Sequence, residues 1–383
     1  MVEGRRRRRQ PQLLTVVHSA ERSGPPIFAL RFLRWLREER PDWTLSTLSL
    51  GGGTDLLDDF AELGPTHVAA PSRSARGSAA RRAAGTFLDT RTRLRLSRNG
   101  PIDVAHVHCV GSMRAVDVLP RSTPVLCHVH ELSVGLDLHL GPRAAVHLPT
   151  ARRYVAVADG VRDEFLRRFP VPPVLVDRQW GFVDPDELPP PAEREELGVA
   201  PGAFLVVSSG VRHWRKAPEL FVRAARAAVQ ARPDVEWQFV WIGGSDVGGL
   251  EELVADSGLD GVVRFLGHRT DSLRWVAAAD AFLLPAREDA FPLVCVEAAA
   301  LGRPIVTFDN GGAAELVELA GCGRVAPFPD VGALAAALAE LADRAEERLA
   351  MGQRGREFAR THLTIATAGP ALLASIEATA QVG

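Results

Sequence analysis

Two carboxylates eight positions apart, Asp289 and Glu297, bracket Phe291-Pro292-Leu293 inside the stretch 285–315. Asp289 falls in a loop and Glu297 on the helix that follows. A carboxylate in each place can accept hydrogen bonds from vicinal hydroxyls, as a sugar or a ribose presents them. Helix starts near Leu293 and Ala313 aim free N–H groups and positive dipole ends toward an anion. Hydroxyl acceptors beside an anion cradle describe a nucleotide sugar. The plainer reading makes Glu288 and Asp289 turn charges and Glu297 a solvated helix residue, since helix starts favour acids anyway. Spacing alone does not separate the two.

Lys216 is the only lysine in a chain that otherwise uses arginine. It sits in the loop Val211-Arg212-His213-Trp214-Arg215-Lys216-Ala217, between a strand and a helix start, where a diphosphate would lie. A compact ammonium kept against such an arginine bias suits a point-charge role that a planar guanidinium cannot fill. Arg212 and Arg215 both qualify as the second cation. The plain alternative is a stray lysine with no role. Its loop position is in either case expected to be exposed and to contribute little to stability.

The elements that must position these groups follow from hydrophobic pattern. Residues 281–284 and 305–308 are short apolar runs of buried-strand length, separated by an Ala-rich helical segment over 293–301 that Gly302 closes. Strand, loop, helix, strand, loop, helix is a βαβ unit of a parallel sheet, whose ligands bind at the carboxyl ends of strands. Further strands are expected over 13–17, 102–109, 125–131, 154–158, 174–176, 204–210, 235–243 and 262–267. Helices are expected over 26–38, 161–169, 218–230, 334–348, 357–362 and 366–382.

The stretch 285–315 resembles the nucleotide-sugar site of family-four retaining glycosyltransferases. Their signature is a carboxylate, seven residues, a Glu, and then Gly-Gly-x-x-Glu. Here it reads Asp289, seven residues, Glu297, then Gly311-Gly312-Ala-Ala-Glu315. Asp289 stands where most of the family has Glu, Ala286 where a Ser is common, and Ala217 where the family's Arg-Lys-Gly element has its Gly. The resemblance is strong over 204–327 and weaker before 170. It implies an α/β chain of GT-B fold, two Rossmann-like doubly wound domains facing a cleft. It also implies transfer of a hexose, with retention, from a nucleoside diphosphate sugar to a hydroxyl acceptor on a glycan, lipid or natural product. Lys216 with Arg212 or Arg215 would stabilise the leaving diphosphate. Asp289 would hold donor-sugar hydroxyls and the main chain of Phe291, Pro292 and Leu293. Glu297 would hold the ribose, Gly267 would lie at the nucleobase, and His130 would meet the sugar from the opposite wall. No metal and no cofactor beyond the donor are implied, and the choice between UDP and GDP stays open. A nucleotide-sugar 2-epimerase and a catalytically silent sugar-nucleotide binder are the alternatives.

The strands 102–109 and 125–131 carry His106, His108, His128 and His130. Because side chains alternate across a strand, His106 and His108 are expected on one face and His128 and His130 on another. With no CxxC pair, that disfavours zinc. His108 and His130 are instead expected at strand ends lining the crevice.

Composition bounds the rest. A chain of 383 residues with 46% hydrophobic residues can build two cores. Lys+Arg of 45 against Asp+Glu of 47 gives no global drive toward nucleic acid. No apolar run approaches the length of a membrane span. Four scattered cysteines argue against a disulfide scaffold. A cytoplasmic chain is expected. Its division is a basic tail 1–10, an acceptor-side domain 11–182, a Pro-rich linker 183–200, a nucleotide-sugar domain 201–362, and a helix 363–383 returning to the first domain. The Arg-rich tail and the stretch 71–100 read as solvated faces. Their functional version is contact with an acidic acceptor or with anionic lipid at the inner face of the membrane. Oligomeric state is not legible.

Overall fold

The structure, a computed structural model, describes residues 9–69, 91–96, 98, 100–244 and 248–381. Most of the Arg-rich tail and most of the stretch 71–100 lie outside the described residues. The chain divides into two compact units. One comprises residues 1–157, 162–179 and 369–383, the other 158–161 and 180–368.

Among the described residues, the first unit holds a seven-stranded parallel sheet. Its strands are β1 (Gln12–Val17), β2 (Thr44–Ser49), β3 (Thr66–Val68), β4 (Val104–His108), β5 (Val125–Val129), β6 (Arg153–Ala156) and β7 (Val176–Arg178). They lie in the order β3-β2-β1-β4-β5-β6-β7. A parallel sheet covered on both faces is buried along its strands, which are mostly apolar, and all of β1, β4 and β5 is buried. The helix Gly24–Glu39 turns Phe28, Phe32, Leu33 and Leu36 inward. Strands β2 and β3 carry no sequence expectation, and β7 lies two residues later than expected because Pro173–Leu175 forms a 3₁₀ turn.

The expectation about histidine faces fails. Strands β4 and β5 are neighbours in register His108↔His128. Residues paired across a parallel ladder project to the same face, so all four histidines share one side. Their rings stack at 4.2–5.3 Å between centroids.

The second unit repeats the winding. Its strands are β8 (Phe204–Ser209), β9 (Trp237–Ile242), β10 (Val263–Phe265), β11 (Ala281–Leu284), β12 (Ile305–Phe308) and β13 (Gly323–Ala326). They lie parallel in the order β10-β9-β8-β11-β12-β13. The chain grows outward from β8 through β9 and β10, then returns to the other side of β8 and grows through β11 to β13. The loops after β8 and β11 therefore flank the topological switch point, where doubly wound sheets bind ligands. The helices Pro218–Ala231 and Val331–Asp343 share a core with this sheet, centred on Phe221, Phe239, Trp241 and Leu338. Residues 183–200, expected as a linker, are built into this unit. Arg194 pairs with Asp280 at 2.7 Å, and Val199 and Leu197 are buried. The helix Ile365–Gln381 begins in the second unit and runs into the first, where Ser375 donates to Asp177 and Glu377 pairs with Arg40. Among the described residues no helix is long and apolar enough to cross a membrane.

Candidate functional site

The site grows from the ends of β8 and β11. After β8, Gly210 takes a positive φ and passes so close to the end of β9 that a Cβ on Gly243 would lie 1.9 Å from the Gly210 carbonyl oxygen. The chain then turns on the His213 carbonyl, which accepts the N–H groups of Lys216 at 2.9 Å and Ala217 at 3.1 Å. Ala217 closes the turn in the left-handed region, φ 55° and ψ 58°, and Pro218 starts the helix with its fixed φ. A left-handed conformation costs a residue bearing a Cβ about 1–2 kcal/mol. This explains physically why glycine would be preferred at this position.

The loop after β11 is tied on both sides. Arg287 N–H donates to the Arg215 carbonyl at 2.8 Å, which joins it to the loop after β8. Asn310 Nδ2 donates to the carbonyls of Ala286 at 3.1 Å and Arg287 at 2.7 Å. Gly312 N–H donates to the Asp289 carbonyl at 3.0 Å. The Gly-Gly pair is required by closeness: a Cβ on Gly311 would lie 2.3 Å from the Asp289 carbonyl oxygen, and one on Gly312 2.1 Å from that of Ala290.

This bracing brings three charges together. Lys216 Nζ lies 2.6 Å from Asp289 Oδ2, and Arg215 Nη1 lies 3.0 Å from the same oxygen. Arg215 Nη1 also donates to the Glu288 carbonyl at 3.0 Å. Burial alone would raise the Asp289 carboxyl, but the charges of Lys216 and then Arg215 outweigh it and hold the group below the usual carboxylate range. Lys216 is not the exposed loop residue expected from the sequence. Its side chain is 13% exposed and that of Asp289 12%. Two cations against one carboxylate leave the cluster net positive at the switch point, which suits an incoming polyanion.

The other expected residues are placed as follows. Arg212 points elsewhere, pairing with Glu251 at 3.2 Å and lying 5.6 Å from the Phe265 ring centre. Phe291 and Pro292 are buried and Leu293 half-buried at the start of the helix Leu293–Ala300, which has no side-chain cap on its first N–H groups. Glu297 is buried on the same helix. Gly267 follows β10 with φ +68°, and its carbonyl accepts Gly243 N–H. His130 belongs to the first unit, at the end of β5. Its Nε2 lies 3.1 Å from His108 Nδ1, and burial lowers its pKa to about 3, so its ring is neutral.

Three residues escaped the sequence reading. Asn310 positions the Asp289 loop. Arg287 pairs with Glu219 at 2.5 Å and donates to the Trp214 carbonyl. Glu315, the last residue of the Gly-Gly-x-x-Glu signature, accepts from Trp180 Nε1 at 2.7 Å and from the main-chain N–H groups of Asp159 and Gly160, all within the second unit. Asn310 carried a signal in its place next to the glycine pair, and Glu315 in closing the Gly-Gly-x-x-Glu signature; Arg287 carried none.

Residues 202–344 match the sequence family described as Glycosyl transferases group 1. Among curated proteins, the chain is 29% identical over 223 residues to a D-inositol 3-phosphate glycosyltransferase of Corynebacterium kroppenstedtii, covering 55% of this chain and 49% of that one. It is 31% identical over 223 residues to the protein of that name from Saccharomonospora viridis, covering 55% and 52%. The chain thus spans about half the length of the curated relatives it matches. Among solved structures, it resembles Anabaena HepE in complex with UDP, with a TM-score of 0.77 at 17% identity over 96% of this chain and 100% of that one. It also resembles sucrose-phosphate synthase from Thermosynechococcus elongatus, with a TM-score of 0.78 at 19% identity, over 96% and 98%. At such identities the likeness is one of fold.

Proposed function

We propose that this chain, which has the GT-B fold and whose residues 202–344 match the family described as Glycosyl transferases group 1, transfers a hexosyl group from a nucleoside diphosphate sugar to a hydroxyl acceptor, with retention at the anomeric carbon. One observation carries this reading: Lys216 and Arg215 converge on Asp289 between the loops after β8 and β11. A site for a leaving diphosphate needs preorganised positive charge that costs no rearrangement when charge develops. Asp289 supplies the preorganisation by holding the ammonium and the guanidinium in place before a substrate arrives.

In the reaction, the bond from the anomeric carbon to the β-phosphate oxygen breaks and its electron pair goes to the diphosphate. Lys216 is the group that meets that charge, with Arg215 beside it and the uncapped N-terminus of Leu293–Ala300 adding N–H donors. The acceptor hydroxyl forms the new glycosidic bond, and its proton passes to the departing diphosphate or to solvent. Asp289 and the main chain at Phe291 to Leu293 address the sugar hydroxyls, Glu297 the ribose and Gly267 the base edge. The two cations take the part a divalent ion plays elsewhere, so transfer is expected without one.

Incubation with a panel of uridine and guanosine diphosphate sugars tests the proposal. Slow release of nucleoside diphosphate and free sugar from one donor supports transfer. An isomerised donor would move the assignment to a 2-epimerase, and binding without turnover to a silent binder.

A further inference from the structure

In the first unit, His106 and His108 on β4 and His128 and His130 on β5 form a ladder of rings on one face of the sheet. The helix Gly24–Glu39 closes over it. Phe28 stands edge-on to His128 at 4.9 Å, and Phe32 meets His106 at 6.3 Å. His106, His108 and His128 have no exposed surface, while His130 at the end of the ladder is half-buried.

Hydrogen-bond accounting leaves the ladder incomplete. His106 Nε2 lies 3.1 Å from His128 Nδ1, and His108 Nδ1 lies 3.1 Å from His130 Nε2. A neutral imidazole has one N–H and one lone pair, so each such pair leaves one donor and one acceptor over, whichever tautomer forms. Among the described residues, His106 Nδ1, His108 Nε2 and His128 Nε2 are buried without any partner. Buried polar atoms are nearly always satisfied, so three in one cluster point to a missing occupant.

We propose that His106, His108 and His128 bind a zinc ion. Each offers a ring nitrogen, and the three lie within 4.8 Å of one another. Zinc–nitrogen bonds of about 2.0–2.1 Å in a tetrahedral site set ligand nitrogens about 3.3 Å apart, within reach of small ring rotations. The donor set is all imidazole, which suits zinc and excludes magnesium and calcium, whose ligands are oxygens. Burial keeps the rings neutral. Zinc binding opens the hydrogen bond between His106 and His128, so that each ring keeps its proton on one nitrogen and turns the lone pair of the other to the ion. Glu131, next to the ladder's outer rung, accepts N–H groups from Val110 and His130 and supplies a buried acidic group beside that rung. The half-buried His130 end is the route in. The three ligating rings have no exposed surface, so the ion is enclosed, and a water carried in with it completes the tetrahedron. It is independent of Lys216, Arg215 and Asp289, which lie in the other unit.

The test uses the full chain, stripped with a chelator and then titrated with Zn²⁺ alone. Uptake of about one ion per chain at submicromolar free zinc, with a rise in Tm, is expected. Cobalt substitution should give a tetrahedral spectrum without a thiolate charge-transfer band, which separates this site from Cys109 and Cys127. His128→Leu should lower zinc affinity at least about 100-fold, whereas His268→Ala, at an exposed position, should leave it unchanged. Failure of the unmodified chain to take up zinc at micromolar concentration overturns the proposal, whatever the variants do. So does a thiolate band, or full zinc binding by folded His128→Leu.

Discussion

Replacing Lys216 by Met keeps the length of the stem and removes only the ammonium. Asp289, with a side chain 12% exposed, then keeps Arg215 as its cation, at 3.0 Å and 38% exposed. Breaking a buried pair with no substitute partner costs about 3–5 kcal/mol. With Arg215 still in place we expect about 2 kcal/mol, a fall in Tm of roughly 4–8 °C for a unit of this size. Asp289→Asn removes the anion and leaves two cations side by side, with a similar expected cost. Because both changes break the same pair, the double variant should fall short of their sum by about 1–2 kcal/mol. Denaturant unfolding of the four proteins measures this. In turnover the Lys216→Met variant should lose about 10²–10³ in kcat, the scale for one preorganised electrostatic donor, and Lys216→Arg should not restore it. Additive stabilities within about 0.5 kcal/mol, or an unchanged Tm in Lys216→Met, would refute the claim that the carboxylate holds the ammonium.

Other outcomes follow from the same geometry. Gly312→Ala places a Cβ 2.1 Å from the Ala290 carbonyl and 2.8 Å from the Phe291 ring, so it should push the Asp289 loop aside and weaken donor binding at least tenfold, read by titration calorimetry. Asn310→Ala removes two hydrogen bonds to that loop and should lower kcat/KM by about 1–2 kcal/mol with little change in secondary structure. Glu297→Gln should weaken nucleoside diphosphate binding by about 1–3 kcal/mol if its carboxylate accepts from the ribose. Adding Mg²⁺ or Mn²⁺ to chelator-treated protein should change turnover by no more than about twofold, below about 0.5 kcal/mol. The zinc-stripped chain should lose stability in acid. Burial lowers His106 and His130 to about 3 and drives His108 and His128 well below 6.5. The unfolded chain therefore binds more protons below pH 6.5, and stability falls toward pH 3 by up to about 1.4 kcal/mol per pH unit for each ring. Glu131, raised to about 7 by burial, opposes this between pH 7 and 4.5 and offsets one of the four rings there, so the loss steepens somewhat below 4.5.

The segment 281–315 was legible because its signals are local: two apolar runs, a Gly302 stop and a glycine pair, all within one βαβ unit. The contact of Lys216 with Asp289 was not. It exists because β8 and β11 are neighbours in the sheet although 71 residues of chain separate their ends, and strand order is written in no local pattern. Strand β2 escaped because Thr44-Leu-Ser-Thr-Leu-Ser lacks a β-branched apolar run. Ser46, Thr47 and Ser49 are nonetheless buried, and Ser46 Oγ donates to the Leu13 carbonyl. The histidine faces were misjudged because alternation along one strand says nothing about register with the next. Ala217 stood out in sequence only as a departure from the family's glycine, and its left-handed backbone gives that departure a physical meaning.

The account rests on a diphosphate binding at Lys216, and the single lysine makes this directly measurable. An amine-directed reagent can react only at Lys216 and at the chain's N-terminus, and peptide mass spectrometry reads the two rates separately. A saturating nucleoside diphosphate should slow labelling of Lys216 at least tenfold and leave the N-terminal amine unchanged, while the parent nucleoside protects little. Equal labelling of Lys216 with and without the diphosphate would contradict the account.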